Sequence, residues 1–291
     1  MKTTIQAWAK VNLSLRVTGK RPDGYHLISS LFAKVDLADT LAITVTDDGA
    51  VAATCSDPAL AVDESNLAVK AALALQKAGG TGKGARLELT KRIPVAAGLG
   101  GGSADAAGAL AALNAMWGVE FSQRRLAELA LTLGADVPFF LGGPMAWVEG
   151  IGELITPLAP RRPIPILLAN PGFSISAADA YKGSVFTFSP VVDKEGLLEA
   201  ALGGDPAALA RYAQNDLEPW AMAKYPRLAR LKSIMERTEP RPLAVAMSGS
   251  GPTLFAIHAT DQAAQMAMER IKEEAPFVYA AKTMIGGLQA L

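Results

Sequence analysis

Residues 92–113 read RIPVAAGLGGGSADAAGALAAL, and no other stretch of the chain narrows the choice of fold as far. Four glycines in five residues, Gly98, Gly100, Gly101 and Gly102, run into an alanine-rich segment with Ser103 and Asp105 at its start. The pattern predicts a short apolar segment interrupted by Pro94, then a glycine loop, then a helix N-terminus. Glycine tolerates positive φ and has no side chain to hold an anion away, so such a loop can turn successive N–H groups toward a phosphate. The first helical turn adds unpaired N–H groups and a partial positive charge. Alanines behind the loop let the helix lie close to a sheet or a second helix, and bulk at Gly101 is expected to obstruct the phosphate path. A glycine hinge before a packed helix is the plainer alternative. Dense glycines followed by small polar residues favour phosphate binding.

Two better-known phosphate loops do not fit. GxxxxGK[ST] is missing here, and GTGKG at 80–84 lacks a serine or threonine after Lys83. GxGxxG fails because Ser103 and Asp105 stand where its last glycine should be.

With 291 residues, half of them hydrophobic, the chain can bury a sizeable core, and two domains of ordinary size are expected. Lys plus Arg and Asp plus Glu are equal at 28 each, so nothing in the charge balance argues for nucleic acid. Arg124-Arg125 and Arg161-Arg162 read as solvated faces. The lone Cys55 excludes an internal disulfide and a thiolate metal cluster. No basic and apolar leader precedes the first strand pattern, and no apolar run approaches a membrane span. A soluble cytoplasmic protein with no membrane partner is the expectation.

Residues 4–17 alternate, with Ile5, Ala7, Ala9, Val11, Leu13 and Leu15 on one side, and read as a strand. Lys10 and Asn12 then share the opposite face, either as ordinary solvent-facing residues or as an ammonium and an amide presented to one ligand. KRPDGYH at 20–26 is a Pro-Asp-Gly turn that delivers Tyr25 and His26 together, a platform for a planar ring or a surface pair. Strand-like runs over 28–54 break at 47–49, Glu64-Ser65-Asn66 marks a helix start, and 86–90 alternates as a strand into the glycine loop. Ser122 caps a helix running to Leu133, with Leu126, Leu129 and Leu133 as its buried stripe. Gly134 suits its C-cap and Pro138 blocks its continuation. Asp136 is thereby held at a helix-to-loop junction in apolar surroundings. There it either bonds nearby backbone N–H groups or points into a cleft as a proton acceptor.

The proline- and arginine-rich stretch 157–165 reads as a crossover, followed by a buried strand at 164–168 and a turn and helix start over 170–181. Weakly patterned helices fill the next stretch, with Asn215-Asp216-Leu217-Glu218 ahead of one of them. Strand 243–247, the loop SGSGPT at 248–253, strand 254–258, helix 261–274 and strand 277–283 complete an α+β second half.

Ala9-Lys10-Val11-Asn12-Leu13, residues 94–107 and residues 247–253 resemble, in order and spacing, the three motifs of the GHMP family of small-molecule kinases. Within that family, DGYH at 23–26 and LGADVPFF at 133–140 resemble the member whose substrate is a cytidyl diphosphate. The resemblance implies a two-domain α+β GHMP kinase fold. Residues 1–157 would form an ATP-binding domain like domain 2 of ribosomal protein S5, and residues 158–291 a ferredoxin-like domain. It implies ATP and Mg2+ as cofactors and Lys10 with Asp136 as the catalytic pair. Pro94, Val95, Ala96, Ala97, Gly98, Leu99, Gly100, Gly101, Gly102, Ser103, Ala104 and Asp105 would wrap the triphosphate, with Asn66 near the nucleotide. Tyr25, His26 and Tyr181 would hold the cytidine end and Asn12 the erythritol end, and Ser103 occupies the position associated with phosphate and magnesium contacts.

Three positions depart from the family pattern. Ala104 stands where a second serine is common, Tyr181 replaces a phenylalanine, and Ala177 falls where a threonine can touch substrate, with Ser176 beside it as a possible replacement donor. Phosphoryl transfer needs an in-line hydroxyl, charge stabilisation on the transferred oxygens and an acceptor for the hydroxyl proton. Asp136 is the expected acceptor and Lys10 its counter-charge. A GHMP kinase for homoserine, mevalonate or a sugar would keep the nucleotide loop without needing Tyr25 and His26, and a non-catalytic nucleotide-binding protein would keep the loop alone. The presence of both Lys10 and Asp136 favours an enzyme. Trp117, Trp147 and Trp220 fit either a core or an interface, so the oligomeric state stays open.

Overall fold

Two long antiparallel strands, β1 (Lys2–Lys20) and β2 (His26–Thr46), open the chain, joined by a tight turn in which Gly24 takes φ 93°. The structure, a computed structural model, describes residues 1–188 and 193–285. There follow β3 (Val51–Cys55), α1 (Leu67–Gly79), β4 (Gly84–Thr90), α2 (Gly101–Met116), α3 (Gln123–Leu133), the single turn α4 (Val137–Phe140), β5 (Met145–Gly150) and β6 (Leu154–Leu158). The remainder is β7 (Pro165–Asn170), α5 (Ala177–Gly183), α6 (Lys194–Gly203), α7 (Pro206–Ala210), β8 (Gln214–Asn215), α8 (Glu218–Lys224), α9 (Pro226–Arg237), β9 (Ala244–Met247), β10 (Leu254–Ile257), α10 (Asp261–Ile271) and β11 (Phe277–Lys282).

The first sheet runs β3-β4-β2-β1-β8, with β5 also on β2 and β6 on β5. β2 serves two partners along one edge, since Thr40–Thr46 pair with β4 and Ile28–Ala33 with β5. The second sheet, β11-β7-β10-β9, is antiparallel throughout, and its strand order is that of a ferredoxin-like β-α-β-β-α-β unit. No helix among the described residues is long and apolar enough to cross a membrane.

Local chemistry accounts for most element ends. Asn66 accepts from the Ala68 N–H and Ser122 from the Arg125 N–H, each satisfying a donor that the helix cannot. Gly80 closes α1 in the left-handed region. α2 lies so close to β1 that a Cβ on Gly108 would sit 2.5 Å from Ile5 Cδ1, which explains its small residues.

Three features differ from the sequence expectation. The regular alternation of β1 conceals a change of side: Ile5, Ala7, Leu15 and Val17 join one core cluster, whereas Ala9, Val11 and Leu13 join another. Register shifts at Trp8/Lys10 and Asn12/Ser14 bracket the segment that changes side. Lys10 and Asn12 are therefore not solvent-facing; both are buried. Second, β5 lies in a stretch without a clean period, because Met145 to Val148 are buried on both faces, and β6, which pairs with it, has no buried residue. Third, Asn215 adds a short parallel strand beside β1 before α8 begins at Glu218. Trp117 and Trp147 are core residues, Trp220 is half-buried, and Arg124, Arg125, Arg161 and Arg162 are exposed as expected.

Candidate active site

The glycine loop is clamped by two other segments. Leu99 O accepts from the Lys10 N–H at 2.9 Å, Gly98 O from Ser248 Oγ at 2.9 Å, and Ala97 O from the Thr253 N–H at 3.3 Å. Ser248 Oγ also accepts from the Asn12 N–H at 3.1 Å, so one hydroxyl joins β1, the glycine loop and the SGSGPT loop. Positive φ values of 49° at Ala96, 78° at Gly98 and 72° at Gly100 curl the loop, and α2 then starts without a side-chain cap. The first bond into α2 runs from Ala104 N to Gly100 O, leaving the N–H groups of Gly101, Gly102 and Ser103 without helical partners.

These residues line a cavity of about 330 Å³ that also takes in Pro94, Val95, Ala96, Ala97 and, across from them, Asn66. Leu99 and Ala104 do not line it: both are buried, and Leu99 contributes only its carbonyl, to β1. Gly101 does not face the phosphate path as expected. A Cβ there would meet Ile93 Cγ2 at 3.0 Å and Asp39 Oδ2 at 3.4 Å, so bulk would press on the interior and not into the phosphate path.

Asp105 lines the cavity only at its floor, where its Oδ2 accepts from Lys91 Nζ at 2.6 Å. The same ammonium pairs with Asp39, whose other oxygen accepts the N–H groups of Arg92 and Ile93 and so fixes the approach to the loop. Burial pushes the Asp105 carboxyl up to about 6, against the lowering effect of Lys91. Burial alone would lower Lys91, but Asp105 and Asp39 outweigh it and leave it above its ordinary value. Between about 4 and 6 folded Asp105 holds more proton than unfolded Asp105, so its contribution to stability falls as pH rises across that window. Denaturation of the wild type and Asp105→Asn at several pH values should therefore show the wild type losing ground to the variant from pH 4 to pH 6. A pH-independent difference would contradict the buried carboxyl.

Lys10 and Asp136 approach within 3.6 Å, the lysine side chain 4% exposed and the carboxylate 34%. Asp136 occupies the N-cap position of α4 but makes no capping bond, and Pro138 helps open this new turn where the sequence suggested only a stop. The carboxylate is thus left for the cavity and not tied to nearby N–H groups. Burial lowers the Lys10 ammonium below its ordinary value, with the charge of Asp136 opposing. Lys10 Nζ also donates to Asn12 Oδ1, whose amide nitrogen donates to Ser30 Oγ at 3.1 Å, so Asn12 has a fixed orientation.

Both residues open onto a second cavity of about 820 Å³, which shares Gly98, Gly100 and Ser103 with the first. Its far wall is aromatic. His26 stacks on Tyr181 with ring centroids 5.3 Å apart and 17° between planes, Phe186 packs on His26 at 5.0 Å, and Tyr25 stands 62% exposed at the rim. Burial and Lys20 lower the His26 pKa. Ser176 is not in the lining. Its hydroxyl accepts from the Asp179 N–H as the cap of α5, while the methyls of Ala177 and Ala178 face the cavity. Sequence reasoning gave no role to Ser248, Phe186 or Lys20; the SGSGPT loop was a visible signal for the first, whereas a half-buried phenylalanine carries none.

A glycine-loop cradle next to a larger cavity that holds a lysine–aspartate pair, the two sharing Gly98, Gly100 and Ser103, defines a small-molecule phosphotransferase site. The GHMP kinases N terminal domain matches residues 66–144 and the GHMP kinases C terminal domain residues 197–276, and the chain belongs to the GHMP kinase family, with its two-domain fold. Among similar proteins is the 4-diphosphocytidyl-2-C-methyl-D-erythritol kinase of Pelotomaculum thermopropionicum, 40% identical over 94% of both chains. The protein of the same name from Symbiobacterium thermophilum is 40% identical over 97% of this chain and 99% of its own. A crystal structure of a 4-(cytidine 5'-diphospho)-2C-methyl-D-erythritol kinase, 36% identical, superimposes with a TM-score of 0.81, covering 98% of this chain and 99% of its own. Homoserine kinase from Cytophaga hutchinsonii, 21% identical, shares the fold with a TM-score of 0.77, covering 100% and 97%.

Proposed function

We propose that this chain is an ATP-dependent kinase that phosphorylates the 2-hydroxyl of 4-diphosphocytidyl-2-C-methyl-D-erythritol, giving the 2-phosphate and ADP in non-mevalonate isoprenoid precursor synthesis. The observation that carries the reading is the Lys10–Asp136 pair in the wall of an aromatic-lined cavity that shares Gly98, Gly100 and Ser103 with the glycine-lined one. Full-length relatives named for this reaction support it. It is a soluble cytoplasmic enzyme in this reading, with residues 1–157 as the ATP-binding domain and residues 158–291 as the second, although the short strand β8 of the later part pairs with β1 in the first sheet.

The N–H groups of Gly101, Gly102 and Ser103 and the curled backbone before them bind the triphosphate, with Asn66 at the nucleoside side. ATP supplies the phosphoryl group. Among the described residues no cluster of three or more His, Cys, Asp or Glu could hold a metal; the Ser103 hydroxyl at the glycine loop would help to hold magnesium together with the nucleotide, and the ion would offset charge on the transferred oxygens. Asp136 takes the proton of the attacking hydroxyl, while Lys10, fixed by Asn12, orients that hydroxyl and offsets charge on the transferred oxygens. Tyr25, His26 and Tyr181 hold the cytosine, stacking for affinity and reading its edge by hydrogen bonds.

The test is ADP release with ATP and magnesium, comparing the cytidyl substrate with its uridyl analogue, mevalonate, homoserine and galactose, and identifying the phosphorylated product. Phosphate on the erythritol 2-hydroxyl is the expected result. Turnover of mevalonate, homoserine or galactose without the cytidyl compound would reject the substrate and keep the kinase class. In the same assay Tyr181→Ala should raise KM for the cytidyl substrate about tenfold or more, from loss of stacking and of the support under His26, with KM for ATP changed by less than about threefold. Equal changes in both would remove Tyr181 from the ring site.

A further inference from the structure

The turn that presents Asp136 is held at both ends by buried lysines from neighbouring strands. Lys10 and Lys34 are register partners across β1 and β2. Lys10 reaches the N-cap carboxylate of α4 at 3.6 Å, and Lys34 reaches its other end, donating to Phe140 O at 3.0 Å and Gly142 O at 2.8 Å. Bonds within the turn do not use those carbonyls, because Leu141 N goes to Pro138 O and Gly142 N to Phe139 O. An ammonium is the natural cap for free carbonyls at the end of a helical turn.

Lys34 is 1% exposed and has no carboxylate partner among the described residues. Burial pulls its ammonium down to about 8, and an uncompensated buried cation is costly to keep. The two lysines also share an aromatic floor: Lys10 Nζ lies 4.7 Å from the Phe32 ring, Lys34 Nζ lies 5.6 Å from Phe139, and those rings meet edge to face at 5.2 Å. Phe140, whose carbonyl Lys34 holds, lies against Gly100, where a Cβ would fall 2.7 Å from its Cζ. One turn therefore sets the carboxylate at its start and props the glycine loop at its end.

We infer that Lys34 is a positioning residue for phosphoryl transfer, anchoring the C-terminal carbonyls of α4 so that Asp136 is aimed at the acceptor hydroxyl. The inference rests on Asp136 being the proton acceptor. A group held within a fraction of an ångström of its working position loses rate when its support relaxes, even if substrate still binds.

A double-mutant cycle tests this, with kcat from ADP release and folding checked by thermal melting. Lys34→Met, similar in length and apolar, should lower kcat about tenfold or more, with KM for ATP and for the cytidyl substrate changed by less than about threefold. In an Asp136→Asn background the same change should lower kcat by less than about twofold, because the group being positioned is already gone. An equal loss in both backgrounds, or no loss in the wild type, would overturn the inference and leave Lys34 a structural residue. If Lys34→Met does not fold, Lys34→Gln, which keeps uncharged donors, must show the same dependence on background. Near-normal kcat in Asp136→Asn alone would instead reject the proton-acceptor reading, so the two failures are told apart.

Discussion

Asp136→Asn is expected to fold, to bind ATP, and to lose about two powers of ten or more in kcat. The amide matches the carboxylate in shape, and since Asp136 makes no capping bond its replacement leaves α4 with the same backbone bonding. What disappears is a proton acceptor and the counter-charge of a buried ammonium. Asparagine can still accept a hydrogen bond from Lys10 Nζ but cannot take a proton from the substrate hydroxyl. Single-turnover rates at saturating substrate isolate the chemical step, and calorimetry with ATP checks the nucleotide side. A folded variant with near-wild-type turnover would sink the assignment. Lys10→Ala should be severely impaired in the same assay, and the double variant should be little worse than the poorer single one, as for residues acting on one hydroxyl.

Gly98→Ala should lose about 2–4 kcal/mol of stability and about tenfold or more in ATP affinity. Gly98 sits at φ 78°, and a Cβ there would lie 2.1 Å from the Ser248 carbonyl oxygen and 3.1 Å from Gly251 N. Those neighbours are backbone, so no side-chain rotation relieves the contact. Moving Ser248 also breaks its bonds to Gly98 O and to the Asn12 N–H, so a methyl group should disturb both the phosphate cradle and the strand carrying Lys10. Gly102→Ala is the control for stability: its Cβ meets only Leu67 Cδ1 at 3.5 Å, an ordinary contact. Urea denaturation of the two variants beside the wild type decides the point. Equal stability of Gly98→Ala and the wild type would mean that the two loops are not locked together.

Much of the fold could be read locally because its determinants are local. Alternation and caps located most strands and helices: Asn66 and Ser122 cap the helices expected of them, and the closing strand expected over 277–283 forms as Phe277–Lys282. β5 escaped because a strand buried on both faces has no period to detect. In the site, local sequence placed the glycine loop at a helix start and Asp136 at a junction, but its periodicity put Lys10 and Asn12 on the face opposite the apolar residues, open to solvent or to a ligand. Register shifts between β1 and β2 turned that segment over, and a register shift is a property of a pair of strands that one strand's alternation does not record.

The sequence by itself determined that a glycine loop opens α2, that charge and composition give no footprint for nucleic acid, and that Lys10, Asp136, Tyr25 and His26 are candidates for the site. Each depends on residue type or on neighbours within a few positions. Only the tertiary structure decided which of these meet, because strands and loops far apart in the chain come together through packing. It showed Ser176 to be a helix cap, its hydroxyl taken by the Asp179 N–H, and Leu99 and Ala104 to be buried in the interior. It also buried Lys34 against the carbonyls of Phe140 and Gly142, more than a hundred residues along the chain, a contact no local pattern encodes.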